Sequence, residues 1–279
     1  MSGIGIVGPG RVGVGLALAL TGAGHEVWLH GRRGKDVPPP LRLSWGGVPD
    51  WLGRVAVVVL AVRDGAIEPA ARELAGAQAI TGRHVVLHLS GMLGIEPLLA
   101  LRPTGAALGV LHPLQAIARP ESAPERFRGA LAAVTGDAPA IATAERLARD
   151  VGMRPVRLAA SAKPLYHAAA AIASNYLVVL AALTERLLTD AGLTADDARA
   201  GLVALMRGTL ENVLVEGPRA LTGPIVRGDV ETVAAHLAVL PPDVGAVYRA
   251  LGLEALRSTT LDAAATARMR ELLETGTGC

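Results

Sequence analysis

The chain has 279 residues and a formal net charge of +2, and 51% of its residues are hydrophobic while 19% are charged. This apolar fraction excludes an intrinsically disordered chain, and the length predicts roughly two domains. The sequence holds three tryptophans, three tyrosines and one phenylalanine, and it has no basic block. Without a basic surface or aromatic stacking platforms, we expect no nucleic-acid partner.

The cysteine content and the apolar segments predict the cellular setting. The single cysteine, Cys279, cannot form an internal disulfide, and no zinc-site spacing is present, so we expect no metal. Residues 1–8 lack the charged segment that starts a signal peptide. The longest apolar stretch, residues 168–183, contains Ser174 and Asn175 and is shorter than the roughly 20 residues of a membrane span. We therefore expect a cytoplasmic protein with no membrane span, in which this stretch is a buried core helix.

Short runs of β-branched residues alternate with helical stretches over the first 160 residues. This alternation is typical of an α/β fold with a doubly wound, mostly parallel sheet. The predicted strands are residues 4–7, 26–29, 55–61, 84–89, 106–111, 130–135 and 154–158. Residues 55–60 show no polar alternation, which predicts a central strand buried on both faces. Prolines 38–40 and the Gly46-Gly47 pair predict a loop, with no helix, between the second and third strands.

Strand signals stop near residue 161, and Ala/Leu-rich segments follow. The predicted helices are residues 164–190, 195–215, 229–240, 243–251 and 261–273, which together form an all-α C-terminal domain. We therefore expect a nucleotide-binding domain over residues 1–160 and a helical domain over residues 161–279, which would bind substrate and dimerise.

The sharpest motif is a glycine-rich turn between the first strand and the first helix. It consists of Gly8, Pro9, Gly10, Arg11, Val12 and Gly13. In a dinucleotide-binding turn the first glycine permits the tight turn, the second lets the backbone approach a pyrophosphate, and the third lets helix and strand pack. Because the motif follows a strand and opens a helix, it predicts dinucleotide binding, with a ligand-free turn as the alternative.

The residues after the second strand predict which dinucleotide binds. An NAD-preferring site would carry an acid there, yet the chain has His30-Gly31-Arg32-Arg33. Arg32 and Arg33 would suit the 2′-phosphate of NADP, because guanidinium groups form bidentate, charge-assisted contacts with phosphate. The alternative is a solvated arginine pair on a surface loop.

Polar residues on the first helix of the C-terminal half predict catalysis. Only Lys35 and Lys163 are lysines among the 27 basic residues, and Lys163 opens this helix. At 100° per residue, Lys163, His167 and Ser174 share one stripe, with Asn175 on its flank. Buried lysine can acquire a useful pKa, so we assign catalytic roles to Lys163, His167 and Asn175. The alternatives are a hydrogen-bonded internal network and a lysine that survived by chance in an arginine-rich chain.

Several segments resemble one protein family. They are residues 8–13, Leu60-Ala61-Val62-Arg63-Asp64, His88-Leu89-Ser90-Gly91, His112-Pro113-Leu114-Gln115, Tyr166-His167-Ala168-Ala169 with Ser174-Asn175-Tyr176, and residues 221–229. They are similar to the Rossmann-like and DUF2520 domain-containing family. That family belongs to the 6-phosphogluconate-dehydrogenase-like superfamily and is related to ketopantoate reductase and pyrroline-5-carboxylate reductase.

The resemblance implies a Rossmann-like domain followed by a helical domain whose first helix carries catalytic Lys and Asn. Two departures stand out. Lys163 and Asn175 lie farther apart than the four positions typical of the related hydroxyacid dehydrogenases, and His167 takes the position four after Lys163. The proline-rich stretch after Arg33 also lacks the usual second helix.

Together these features predict an NADPH-dependent reductase that transfers a hydride to a C=O or C=N carbon of a small, carboxylate-bearing substrate. Lys163 or His167 would supply the proton, and Asn175 would orient the substrate. Ser90, His112, Ser174 and Arg227 are predicted to bind substrate, and Ala61 and Val62 to contact NADP(H). We also expect a homodimer, because the apolar helix over residues 168–183 requires cover on every side. A non-catalytic NADP-binding sensor or scaffold is the alternative.

Overall fold

The structure is a computed structural model that describes residues 3–275. Cys279, on which the disulfide argument depends, lies outside the described residues. Two compact units divide the chain, one ending at Tyr176 and the other starting at Leu177. The predicted domain boundary lies earlier, at residue 160. The boundary at residue 160 therefore stays a prediction.

The first unit is built on a mostly parallel sheet. Its strands are β1 (Gly3–Val7), β2 (Val27–Gly31), β3 (Leu43–Trp45), β4 (Val55–Leu60), β5 (Val85–His88), β6 (Ala107–Pro113), β7 (Leu131–Gly136) and β8 (Arg154–Arg157). The strand order is β3-β2-β1-β4-β5-β6-β7-β8, and β6 and β7 form the antiparallel pair. All seven predicted strands are present with small shifts at their ends, which confirms the doubly wound α/β class.

Helices cover both faces of this sheet and form the second unit. The first unit contains α1 (Arg11–Gly22), α2 (Asp64–Gly76), α3 (Ala123–Phe127), α4 (Ala138–Asp150) and α5 (Lys163–Ala171). The second contains α6 (Leu177–Asp190), α7 (Ala195–Glu216), α8 (Pro224–Arg227), α9 (Val230–Val239), α10 (Pro242–Leu256) and α11 (Ala263–Thr275). The helical C-terminal region is therefore confirmed, and α8 is a short helix that the predicted helices do not include.

The sheet separates two apolar clusters. Ile4 and Ile6 of β1 pack with α1 on one face, while Trp51 lies in the cluster on the other face. Successive side chains of a strand point to opposite faces, so Gly3 and Gly5, which alternate with these isoleucines, face Trp28 and Trp51. A Cβ at Gly5 would lie 1.9 Å from a ring atom of Trp51, which explains the glycine at this position. Residues of β4 enter both clusters, as the unbroken apolar run predicts.

The segment between β2 and β4 differs from the prediction of a plain loop. Leu43–Trp45 forms β3, a parallel edge strand that pairs Leu29 with Leu43 and His30 with Ser44. No α-helix lies between β2 and β4 in the described chain, as the prolines predict, but Asp50–Arg54 forms a short 3₁₀ helix within this predicted loop. A three-residue strand gives no local periodicity, so its pairing with β2 could not be deduced from the sequence.

The helix that carries the predicted polar stripe changes its pitch partway along. Ile172–Tyr176 is a π-helical turn between α5 and α6. A π turn holds more residues than an α turn, so 100° per residue does not apply beyond Ala171. Lys163 is 1% exposed, whereas His167 and Asn175 are exposed. The 100° spacing behind the predicted stripe therefore holds from Lys163 to His167 but does not extend to Ser174 and Asn175, and the full stripe stays a prediction.

The apolar stretch that was predicted as a buried core helix is exposed. Helical backbone runs through Ala160–Asp190, with a mean hydropathy of 1.5 in its most apolar 18-residue window, and none of that window is buried. The prediction failed because periodicity identifies apolar residues but does not show what covers them. By length and composition alone this helix could cross a membrane, so the absence of a span stays a prediction.

Candidate functional site

The glycine turn has the geometry that a bound pyrophosphate requires. Gly8 has φ +115°, and a Cβ there would lie 2.4 Å from the carbonyl oxygen of Ala61. A Cβ at Gly13 would lie 2.0 Å from the carbonyl oxygen of Gly8, so strand and helix pack as predicted. At Gly10 the nearest atom would be 4.0 Å away, and no side chain caps the start of α1. The first N–H groups of α1 are therefore available to an anion.

A cavity of about 400 Å³ opens beside this turn. Six of the ten residues that were predicted to bind cofactor line it: Gly8, Pro9, Gly10, Arg32, Ala61 and Val62. The other four do not line the cavity. Arg11 and Arg33 are exposed, Val12 packs against the core, and Gly13 lets α1 pack on β1. The residues present thus fit a dinucleotide, with the glycine turn for its pyrophosphate.

The two arginines after β2 differ in position. Arg32 lines the cavity and Arg33 does not. Neither forms an ion pair with another residue in the part of the chain that the structure describes. Because the residue after β2 faces the adenosine ribose in this fold, Arg32 is the better placed of the two to contact a 2′-phosphate. Arg63, which sequence reasoning did not assign, also lines the cavity.

The hydroxyl of Ser90 is fully used within the protein. It donates to Asp64 Oδ2 at 2.9 Å and accepts the backbone N–H groups of Met92 and Leu93 at 3.1 and 3.0 Å. A hydroxyl has one hydrogen to donate and two lone pairs to accept, so no capacity is left for a substrate. Ser90 thus shapes the loop after β5, and the geometry argues against its predicted side-chain contact with substrate.

Lys163 is the buried charge of the site. Its side chain is 1% exposed, and its Nζ donates to the carbonyl oxygen of Ser90 at 3.1 Å. This is its one hydrogen bond to the described residues, although an ammonium carries three donors. Burial lowers the pKa of Lys163 to about 8, and the carboxylates of Asp64 and Glu96 partly offset this shift. Lys163 can therefore gain or lose a proton near neutral pH.

Two histidines near Lys163 are held neutral. His88 Nε2 donates to the carbonyl oxygen of Gly94 at 2.6 Å, and its Nδ1 accepts the N–H of Ser90 at 3.1 Å. These contacts fix one tautomer, and burial lowers the pKa of His88. Burial, Lys163 and His167 lower the pKa of His112 to about 4. Both rings are therefore uncharged near neutral pH.

His112 and His167 meet over Gly91. A Cβ at position 91 would lie 2.6 Å from His167 Nδ1 and 2.8 Å from His112 Nε2, so only glycine leaves room for both rings. The Nδ1 of His112 lies 2.9 Å from the hydroxyl of Tyr166, whose pKa burial raises to about 12. The structure thus brings His112, His167 and Tyr166 together, one helical turn from Lys163.

The other predicted site residues lie on other elements of the chain. Ser174 is half-buried and Asn175 is exposed, both within the π-helical turn. Arg227 is the exposed last residue of α8, in the second unit. Asp229 caps the following helix, α9, by accepting the N–H of Thr232 at 3.0 Å.

Sequence reasoning missed several contributors to the site: Asp64, His88, Gly91, Glu96 and Tyr166. Four of them, Asp64, His88, Gly91 and Tyr166, lie in the segments that carry the family resemblance, and that resemblance was the one sequence feature that could have identified them. Their roles depend on contacts between residues far apart in sequence, such as that between Asp64 and Ser90. No local pattern reveals such contacts.

These features define a two-domain α/β protein with a dinucleotide-type glycine turn and a buried lysine. Residues 2–113 match the family model described as a Rossmann-like domain, and residues 130–255 match the model described as a domain of unknown function, DUF2520. The chain therefore carries the two domains of the Rossmann-like and DUF2520 proteins, which confirms the resemblance. A search of curated proteins finds no match.

Solved structures share the fold over nearly the whole chain. Protein BF3122 from Bacteroides fragilis, described as a candidate NADP oxidoreductase, is 19% identical, with a TM-score of 0.72 over 91% of this chain and 97% of that one. Protein TM1727 from Thermotoga maritima is 23% identical, with a TM-score of 0.67 over the same shares. A Plasmodium falciparum pyrroline carboxylate reductase with NADP bound is 11% identical, with a TM-score of 0.60 over 97% of each chain. Because all three sequence identities are below 25%, these comparisons establish a shared fold and not a shared activity.

The lowered pKa of His112 predicts a pH effect on stability. Its pKa is about 4 in the folded chain, against about 6.5 when unfolded. Between these values the unfolded chain binds a proton that the folded chain does not, so the free energy of unfolding falls as the pH drops from 6.5 to 4. Urea unfolding at stepped pH should show a shallower decline for His112→Gln than for the unaltered chain. Equal slopes, or an NMR titration of His112 centred near 6.5, would contradict this assignment.

Proposed function

We propose that the chain is an NADPH-dependent reductase that acts on a C=O or C=N group of a small, carboxylate-bearing substrate. One observation carries the proposal: a buried lysine with a single hydrogen bond lies at the same sheet edge as the dinucleotide cavity. Residues after β4 join the two, because Ala61, Val62 and Arg63 line the cavity and Asp64 binds Ser90. Ser90 in turn binds Lys163.

Bound NADPH would supply the hydride, and the protein would supply position and a proton. The glycine turn and the start of α1 would hold the pyrophosphate, and Arg32 would hold the 2′-phosphate. Ala61 and Val62 form the wall of the cavity next to the glycine turn. The Plasmodium reductase, which has the same fold, has NADP bound in its structure, and this supports the choice of cofactor.

Lys163 is our proposed proton donor. Hydride addition to a carbonyl or imine carbon leaves negative charge or a lone pair on the heteroatom, which must be protonated. A lysine with a pKa of about 8 is mostly protonated at pH 7 yet releases a proton readily. His167 is the alternative donor, and the uncharged His112 would offer its Nε2 to substrate. Arg227 is our proposed contact for the substrate carboxylate, and Asn175 is our proposed residue for orienting the substrate.

The name of the Plasmodium structure favours a C=N substrate over a C=O substrate, since a pyrroline contains an imine. Screening for NADPH oxidation with 2-oxo acids, β-keto acids and cyclic imines tests the proposal directly. Turnover with at least one cyclic imine is expected. A chain that binds NADPH but turns over nothing in the panel would instead support the sensor alternative.

We also propose that two copies pair through the helical unit. Neighbouring helices α6 and α7 expose large apolar side chains: Leu177, Val178, Val179, Val203, Leu205, Leu210, Val213, Leu214 and Val215. Leu214 and Val215 are 78% and 84% exposed, which is costly in water. Charged residues interrupt both helices, including Glu185, Arg186 and Arg199, which suits a second copy of this chain better than lipid.

The position of Arg32 predicts the cofactor preference. NADPH should bind at least about tenfold more tightly than NADH, which is on the order of 1.4 kcal/mol. Arg32→Ala should remove most of this preference, while Arg33→Ala, outside the cavity lining, should remove less. Calorimetric dissociation constants for both nucleotides measure the effect. Equal affinities in the unaltered chain, or an unchanged preference in the double variant, would refute it.

The buried lysine predicts a kinetic loss. Lys163→Met should lower turnover by roughly 10² to 10⁴, the usual contribution of a general acid, with little change in NADPH affinity. In the unaltered chain turnover should fall as the pH rises through about 8, because the donor must be protonated. Lys163→Arg should not restore turnover, since guanidinium keeps its proton. Lys35→Met, which replaces the other lysine, is the matched control.

Two outcomes would change this assignment. Normal turnover by the folded fraction of Lys163→Met, with a lowered melting temperature, would make Lys163 a structural residue. If that variant is active while His167→Ala is inactive, the proton comes from His167.

The exposed apolar surface predicts the oligomeric state. Light scattering at micromolar concentration should give the mass of a dimer, twice 28.6 kDa. Leu214→Glu with Val215→Glu should shift the chain towards monomer, because it would place charges in the proposed interface. A monomer mass for the unaltered chain would refute the proposal.

A further inference from the structure

His30 takes the place where an NAD-preferring site carries its acidic residue, yet its side chain does not face outward. It lies in β2, and the residue is 5% exposed. The Nε2 atom lies 2.8 Å from the carbonyl oxygen of Gly47, and Nδ1 lies 3.0 Å from Ser44 Oγ. Because a carbonyl oxygen only accepts, Nε2 is the donor to Gly47. One ring nitrogen is thus bonded to β3 itself and the other to the segment that follows it.

Ser44 connects this histidine to the core. Its Oγ accepts the indole N–H of Trp51 at 3.2 Å and lies 3.3 Å from the carbonyl oxygen of Leu29. The rings of His30 and Trp51 meet edge to face, with centroids 6.3 Å apart. Trp51 itself is buried against Gly5 of β1. The network therefore starts at Trp51, which packs against β1, and ends on the backbone of Gly47.

Residues 46–48 need this anchor because they are exposed and few packing contacts hold them, whereas Pro49 is buried. Residues 46–49 line the dinucleotide cavity, as do Arg32 and the glycine turn. A Cβ at Gly46 or Gly47 would meet nothing within 4 Å, so neighbouring atoms do not clamp this stretch. The backbone of Gly46 is held by the bond from its N–H to Gly31 O, at 3.1 Å, and the backbone of Gly47 is held by the contact of its carbonyl oxygen with His30.

We propose that His30 is a positioning residue for the adenosine end of the cofactor. It holds residues 46–49 as a wall of the cavity, in place of the second crossover helix that this chain lacks. The wall confines the adenosine 2′-phosphate group beside Arg32. This inference rests on the proposed use of NADP(H). It gives a role to His30, which stands where NAD-preferring sites have an acidic residue.

The test measures binding rather than turnover. Calorimetry would compare adenosine 2′,5′-bisphosphate, which represents the adenosine half, with nicotinamide mononucleotide in the unaltered chain, His30→Leu and His30→Gln. His30→Leu should weaken adenosine 2′,5′-bisphosphate by at least about fivefold, the effect of one lost hydrogen bond, and leave the mononucleotide unaffected. His30→Gln should bind within about twofold of the unaltered chain, because its amide N–H can reach the Gly47 carbonyl.

Hydrogen exchange supplies a second readout on the unliganded protein. Peptides that cover residues 43–50 should exchange faster in His30→Leu than in the unaltered chain and in His30→Gln. Unchanged affinity in His30→Leu, or equal losses for both ligand halves, would overturn the inference while leaving the proposed function in place. Failure of the unaltered chain to bind either NADPH or the bisphosphate would overturn both.

Discussion

The hydrogen bond between the Lys163 ammonium and the Ser90 carbonyl determines where helix α5 meets the sheet. Burying an ammonium costs several kcal/mol unless polar groups compensate, so the lysine stabilises the fold only in this position. The carboxylates of Asp64 and Glu96 supply part of that compensation. Because Lys163 fixes the start of α5, Tyr166 and His167 are brought to His112 one turn later.

This constraint also explains why the loop after β5 is so thoroughly hydrogen-bonded. Ser90 uses its N–H, hydroxyl and carbonyl groups on His88, Asp64 and Lys163. A loop with free rotational states would place the carbonyl inaccurately, and the lysine would lose its partner. Rigid support of a functional group by neighbours that never touch the ligand is a general requirement of binding sites.

Prediction from sequence succeeded where signals are local. Continuous β-branched runs identified seven strands, and the glycine turn was recognised because strand, turn and helix are adjacent in the chain. The edge strand over Leu43–Trp45 was missed because its stability comes from pairing with β2 and from the Ser44 network. The exposed helix was misjudged because composition does not report a covering partner. The roles of His30 and Ser90 depend on contacts across the fold, which hydropathy patterns do not contain.

The distribution of aromatic residues gives the two units different optical properties. Trp28, Trp45 and Trp51 all lie in the sheet unit, whereas Tyr248 is the one aromatic residue of the helical unit. Fluorescence excited selectively at tryptophan therefore reports the sheet unit alone, while far-ultraviolet circular dichroism reports the helices of both. Coincident transitions in the two signals would mean that the units unfold as one cooperative body, and separate transitions would give each unit its own stability.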